Sequence, residues 1–488
     1  MTAVGIVEAA VQAGAVPAWD REVDVVVVGL GAAGVSAALE AHRAGAEVLV
    51  LERASGGGGA SAASEGIFYL GGGTTLQRDL GVEDSPANMY AFMRAVTSTS
   101  DDDVLRQFCD EAGEHFDWLE AQGVRFERAL FTGKAVAVRT GAGLLTTGNE
   151  KVWPFREQAV PAARGHQAEG SEAERGGAPA MRALLATFER EGVAAMYDTG
   201  VVGLVGDDDG VVGVHARQHG TDVWVRARSG VVLATGSFNL NAEMTAASFP
   251  TFAHYGTPLG IDTNDGAGIQ LGESVGGITR AMDGVIATAS IYPPAQLIKG
   301  IVVNNLGRRF VPEDAYHGRL AHFVERQPGH QAYLIVDEEI FAYPEKGSHR
   351  MVDGFETVAE MEAALGMPSG ALAATLDEYN RDVAAGEDRA FHKYHDWLTP
   401  LHPPFVVFDI SVTSSDYHYI ALGGLATDLD GRVLRADDGV VDGLYAVGAC
   451  AAHFPQNGHE YASGMSLGPG SWWGRRAGRH AAGRAAER

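Results

Sequence analysis

Cysteine is almost absent from this 488-residue chain, which holds only Cys109 and Cys450. Two thiols cannot staple a secreted fold, so a disulfide scaffold is excluded and a reducing, cytoplasmic setting is expected. Positive charge is also scarce: 37 Lys and Arg stand against 63 Asp and Glu, a net charge of −26. Nucleic-acid binding needs a basic surface that displaces counterions, so no nucleic-acid partner is expected, nor docking on anionic lipid. No uninterrupted apolar run reaches the roughly eighteen residues of a spanning helix, so no transmembrane segment is expected. Met1–Trp19 is mildly apolar without Lys or Arg ahead of its apolar run; it is a poor signal peptide and reads as a frayed lead-in. His254, His418, His453 and His459 share no ligand spacing, so no metal is expected.

Glycine is abundant, with 64 residues, and 46% of the chain is hydrophobic. Glycine favours tight turns and close backbone approach to a ligand. The apolar content supports a large core, and about 100–200 residues per domain implies two to four domains.

Val23–Gly29 reads VDVVVVG, a β-branched run with a Gly stop that suits a buried parallel strand. Ala32–Ala44 favours helix, and Ala46–Glu52 (AEVLVLE) is a second buried strand ending in an acid. Together they form a βαβ unit. Arg53–Gly66 is too rich in Gly and Ser for a helix and reads as a backbone-lined ligand loop. Further helices are predicted over Asp101–Gln122 and Pro179–Glu191, with an exposed connection over Gly148–Gly177. Gly200–Val214 reads as a hairpin whose solvated turn is Asp207–Asp209, and Val223–Leu233 as another strand pair. The α/β texture changes near Gly277 and returns at Gly443–Gly448. The expected fold is α/β with an α+β cap: a Rossmann nucleotide-binding domain formed by 1–276 and 412–488, interrupted by a cap over 277–411.

Gly29-Leu30-Gly31-Ala32-Ala33-Gly34 is GxGxxG between a strand and a helix. The first Gly makes the tight turn, the second admits the pyrophosphate, and the third lets helix and strand pack closely. Glu52, eighteen residues after Gly34, is placed to accept a ribose hydroxyl. An acid there suits the unphosphorylated adenosine ribose of FAD or NAD.

The Arg53–Gly66 loop, Ala234–Phe238 (ATGSF) and GLYAVGA through Ala449 resemble the fumarate reductase/succinate dehydrogenase flavoprotein superfamily, with its glutathione-reductase-like FAD domain. That resemblance implies non-covalent FAD, held by Gly29, Gly31, Ala32, Ala33, Gly34, Glu52, Arg53, Ala60, Ser61, Ala63, Ser64, Gly66, Val202, Ala234, Thr235, Gly236, Asn239, Asp265, Gly448, Ala449, Ser466 and Leu467. Ala449 departs from the family, which usually has Glu there. Gly464–Gly468 precedes a helix whose N-terminus would stabilise negative charge on a reduced flavin. Cys450 is assigned to small-residue packing, and Trp472 and Trp473 to packing between that helix and the cap.

Fumarate reductases hold a dicarboxylate with His and Arg side chains, but the stretches Tyr419–Leu425 and Asn457–Gly468 lack the Arg. Tyr461–Gly468 (YASGMSLG) instead resembles the 3-ketosteroid dehydrogenases of the Δ4-(5α) type, and Gly307–Tyr316 (GRRFVPEDAY) places Tyr316 where that type carries a catalytic Tyr. The resemblance implies dehydrogenation of a 5α-3-ketosteroid to the 4-ene-3-ketone, with Tyr316, Tyr461 and Ser463 as catalytic residues and an external electron acceptor. Alternatives are Δ1-dehydrogenation, a fumarate- or urocanate-type reductase, and a non-catalytic FAD-binding redox partner. No oligomeric state follows from the sequence.

Overall fold

The computed structural model describes residues 7–97, 101–134, 140–171, 173–346 and 348–487. Five parallel strands run side by side at its centre: Val440–Ala446, Thr221–Leu233, Arg21–Val28, Val48–Leu51 and Ala194–Met196. Val25, Val26 and Val27 are fully buried, because both faces of this sheet are covered and a β-branched run packs well there. The hairpin Thr199–Asp207/Gly210–Gln218, with the short strands Val11–Gln12 and Arg432–Leu434, extends the sheet to nine strands. Helices Ala32–Arg43 and Leu467–Glu487 pack against each other. Their approach depends on glycine: a Cβ on Gly474 would lie 2.3 Å from Ala33 O, and one on Gly478 2.2 Å from Ala37 O.

Thr221–Leu233 is one strand, not two. Its first half pairs with the hairpin and its second half enters the parallel core, joined by an irregularity between Ala227 and Gly230. Arg228-Ser229-Gly230 reads as a turn in sequence, but tertiary crowding makes it a bulge: a Gly230 Cβ would sit 3.0 Å from Gly443 O. The Gly- and Ser-rich loop after Glu52 contains a five-residue helix, Gly59–Ala63. The stretch Gly148–Gly177, expected to be exposed, is about half buried among its described residues. Asn149, Glu150, Arg164, His166 and Gln167 are each at most 1% exposed. Each of them has an internal hydrogen-bond partner; Arg164 pairs with the buried Asp84 carboxylate at 2.9 Å. Polar composition predicts exposure only when no partner is available from elsewhere in the chain.

Residues 301–409 carry an antiparallel sheet in the order Ile301–Asn304, Ala332–Asp337, Phe405–Asp409, Arg350–Phe355. The segment leading to Tyr316 is riveted by buried charges. Arg309 meets Glu313 at 2.8 Å and Asp388 at 2.9 Å, and Lys393 meets Glu313 at 3.2 Å. Breaking such a buried pair by removing one partner typically costs about 3–5 kcal/mol. Trp472 and Trp473 pack on Phe108, His453 and Phe454, in an apolar cluster that also holds Ile286 and Tyr316, and Trp472 Nε1 donates to Glu111 at 2.7 Å. Cys109 and Cys450 are free and buried. Among the described residues no helix is long and apolar enough to cross a membrane, and no group of three or more His, Cys, Asp or Glu is placed to hold a metal ion.

Candidate active site

The three fingerprint glycines act differently, as their spacing implies. Gly29 has φ +98°, and a Cβ there would lie 2.6 Å from Ala234 O, so this turn accepts only glycine. A Cβ on Gly34 would lie 2.0 Å from Gly29 O, the close helix–strand contact. A Cβ on Gly31 would meet only Ser61 Oγ at 3.3 Å and Gly58 O at 4.0 Å; this glycine faces the cleft. The helix that follows has no side-chain cap and no acid in its first turn, which leaves its positive end available to a phosphate. Ala32 N–H donates to Ser61 Oγ at 3.1 Å, closing the loop over the helix start.

Glu52 is oriented by two backbone donors, Leu30 N–H at 2.7 Å and Ala54 N–H at 2.8 Å, and Arg53 pairs with Asp265 at 2.7 Å. Ser64 Oγ donates to Ser61 O at 2.7 Å and accepts from Gly66 N–H at 3.2 Å. In this densely packed region a stripe of residues stays accessible: Gly31, Ala33, Ala60, Ser61, Ala63, Ser64, Ala234, Thr235, Gly236, Gly448, Ala449 and Ser466. An accessible stripe of small residues, an uncapped helix start and an oriented carboxylate fit an extended dinucleotide such as FAD. Leu467 opens the C-terminal helix at one end of the stripe. Two of the expected contacts serve neighbouring backbone here. Val202 O accepts from Glu8 N–H at 2.7 Å, and the Asn239 amide joins Leu259 O to Ala421 N–H.

Beside this stripe the fold gathers hydroxyl groups from distant segments. Tyr316 stands at the N-cap of helix His317–Glu325, while Tyr461 and Ser463 lie in the turn ahead of the C-terminal helix. Tyr316 Oη and Ser463 Oγ are 2.9 Å apart, although 147 residues separate them in sequence. Tyr461 Oη lies 3.0 Å from Ser466 Oγ, and the two tyrosine rings are 6.4 Å apart at 29°. Burial pushes both phenols up, Tyr316 well above its ordinary value, with Tyr461 beside it adding to the rise. Both therefore carry their protons at neutral pH. Ser463 is half-buried, open enough to meet a ligand.

The second layer was not legible in sequence. Asn149 Oδ1 accepts from Tyr316 N–H at 3.0 Å, and Thr147 O accepts from Ser463 N–H at 3.0 Å. Glu150 accepts from Tyr69 Oη at 2.9 Å, and burial raises its carboxyl. Lys134 donates to Asp314 O, and burial lowers its amine to about 8. No motif marks these residues; Asn149 and Glu150 fall in the stretch that reads as an exposed connection.

The FAD binding domain family matches residues 24–467. The crystal structure of 3-ketosteroid-Δ4-(5α)-dehydrogenase from Rhodococcus jostii RHA1, in complex with 4-androstene-3,17-dione, is 40% identical, with a TM-score of 0.91 over 97% of this chain and 100% of that one. The 3-oxo-5-alpha-steroid 4-dehydrogenase of Comamonas testosteroni is 27% identical over 88% of this chain and 93% of its own length. The NADH:fumarate oxidoreductase of Klebsiella pneumoniae is 27% identical over 90% of this chain, which spans only 45% of that protein. FAD is thus the cofactor that the cleft accommodates, and the chain belongs to the FAD-binding flavoproteins of the fumarate reductase/succinate dehydrogenase superfamily, in the family of the 3-ketosteroid Δ4-(5α)-dehydrogenases.

Proposed function

We propose that this protein dehydrogenates 5α-3-ketosteroids to 4-ene-3-ketosteroids, with Tyr316, Tyr461 and Ser463 as its catalytic residues. The observation that carries the reading is the hydroxyl cluster: the polar contacts of these side chains are to other hydroxyls, Tyr316 to Ser463 and Tyr461 to Ser466. A dicarboxylate calls for paired cations, whereas a neutral ketone calls for an O–H donor.

The C4 proton of the ketone becomes acidic only if charge on the C3 oxygen is stabilised. Tyr461, held protonated by burial and oriented by Ser466, supplies that hydrogen bond with help from a backbone N–H of the Gly-rich turn. As Ser463 Oγ accepts the C4 proton, its own hydroxyl proton passes to Tyr316 Oη through their shared hydrogen bond, and the phenolic proton of Tyr316 leaves toward solvent. Serine alone is a weak base, so the pairing is essential. FAD, which the residues of the accessible stripe would hold non-covalently, would supply a two-electron acceptor for the C5 hydride, with an external electron acceptor as its reoxidant. Residues 277–411 form the cap that carries Tyr316, and 1–276 with 412–488 form the FAD domain. A cytoplasmic setting is consistent with the free, buried Cys109 and Cys450.

The test uses 5α-androstane-3,17-dione, its 5β epimer and 4-androstene-3,17-dione, each incubated with an artificial electron acceptor, with products identified by mass and NMR. The 5α ketone should give the 4-ene-3-ketone. The 5β epimer presents its C5 hydrogen on the other ring face and should be turned over far more slowly. The 4-ene, with no C5 hydrogen, should be unchanged. A 1-ene product from the 4-ene would assign Δ1-dehydrogenation instead, and equal rates on both epimers would refute the positioned hydride transfer.

A further inference from the structure

One short buried turn is bonded to both segments that carry the hydroxyl cluster. Asn149 is 1% exposed. Its Oδ1 accepts from Tyr316 N–H at 3.0 Å, and its Nδ2 donates to His459 O at 3.4 Å, two residues ahead of Tyr461. Thr147 O in the same turn accepts from Ser463 N–H at 3.0 Å. Glu150 stiffens the turn by accepting from Gly148 N–H at 3.0 Å and from Tyr69 Oη at 2.9 Å. Tyr69 N–H in turn donates to Gly464 O at 3.1 Å. The backbone under each hydroxyl is therefore referenced to Thr147–Glu150.

The chemistry of asparagine suits this place. The first N–H groups of a helix have no partner within the helix, and Tyr316 stands at such a start. A short amide offers an acceptor to Tyr316 and a donor to a carbonyl on the opposite segment at the same time. We propose that Asn149 is a positioning residue that sets the 2.9 Å separation of Tyr316 Oη and Ser463 Oγ by clamping their two segments to one turn. Buried and with both amide atoms bonded to protein, it acts through the two segments it joins. The inference rests on the proposed dehydrogenation for its kinetic test, while its geometric test is independent of activity.

Asn149→Ala removes both bonds. Turnover should fall about 10- to 100-fold, because an ångström of misplacement costs about 100-fold, while KM stays within about threefold. FAD occupancy and far-UV circular dichroism should be unchanged. Asn149→Asp keeps the acceptor for Tyr316 N–H, but only its protonated form has a donor for His459 O. Burial raises the pKa of such a carboxyl, so the activity of Asn149→Asp relative to the parent should climb as pH is lowered from about 8 to about 5. The Asn149→Ala ratio should show no such limb.

The independent arm labels tyrosine with ¹³C at Cζ. The Tyr316 resonance, assigned by its loss in Tyr316→Phe, should shift in Asn149→Ala in the same direction as in Ser463→Ala. If the parent does not oxidise the steroid, the functional reading fails and the NMR arm alone decides the clamp. The clamp is refuted by an unmoved Tyr316 resonance, by turnover of Asn149→Ala within about twofold of the parent, or by loss of FAD and fold in both variants, which would make Asn149 a folding residue.

Discussion

If Tyr316 and Ser463 pass the same proton in series, removing both hydroxyls should cost no more than removing one. Tyr316→Phe and Ser463→Ala each break the single 2.9 Å bond that joins them and change little volume. Loss of one general acid–base link lowers turnover by about 10²–10³, or about 2.7–4 kcal/mol of barrier. Independent contributions would multiply to about 10⁴–10⁶ in the double variant. A series relay keeps the double variant at about 10²–10³, so the coupling energy equals the cost of either single change. Tyr461→Phe acts on a different atom, the C3 oxygen, and combined with Ser463→Ala its loss should multiply. The fold should survive each change, because one lost hydrogen bond costs about 0.5–1.5 kcal/mol and Ser463 is open enough for water to replace Tyr316. Steady-state turnover of 5α-androstane-3,17-dione with an artificial acceptor reads the cycle, with flavin absorbance confirming equal FAD occupancy. A double variant slower than either single variant by a further factor of about ten or more would refute the relay.

Gly31→Ala should lower FAD occupancy with far-UV circular dichroism unchanged, because its methyl enters the cleft, where the protein itself comes no nearer than Ser61 Oγ at 3.3 Å. Gly34→Ala should instead destabilise the folded chain, since its methyl would lie 2.0 Å from Gly29 O; equal behaviour of the two variants would refute the division of roles. Acid precipitation should release FAD to the supernatant, and flavin that stays with the pellet would show a covalent link. His453 is stacked on Trp473 at 3.7 Å with both ring nitrogens buried and unpartnered, and burial lowers its imidazole to about 3. Between that value and the ordinary value of about 6.5 only the unfolded chain binds this proton, so its contribution to stability is full above about pH 6.5 and is lost as pH falls. His453→Phe should flatten the acid side of the stability–pH curve and leave stability near neutrality unchanged or higher; an unaltered slope in urea melts across that window would refute the assignment.

The nucleotide cleft was legible because its parts are local. The turn, helix start and acid occur within one βαβ unit, and two of its glycines meet backbone that the same unit or its neighbouring strand supplies: Gly34 against Gly29 O, Gly29 against Ala234 O. The helix Gly59–Ala63 was missed because small residues form a helical turn when Gly58 and Ser64 close it at either end, which composition does not reveal. Thr221–Leu233 was divided because its bulge carries turn-like residues; the pairing partners on either side, not the residues themselves, keep the strand continuous.

The sequence alone determined the βαβ dinucleotide-binding unit and the position of its phosphate-binding turn, since each follows from hydrophobic period and glycine spacing over a few tens of residues, while its FAD type was implied by the resemblance of further runs. The resemblance of two short runs pointed to Tyr316, Tyr461 and Ser463, but local pattern could not bring them together. Tertiary structure alone decided that Tyr316 meets Ser463, that Arg164 lies buried against Asp84, and that Asn149 is hydrogen-bonded to both segments of the cluster. The reason is physical: a buried polar group must find a partner, and in a fold of this size that partner comes from a segment distant in sequence, where no local periodicity reports it.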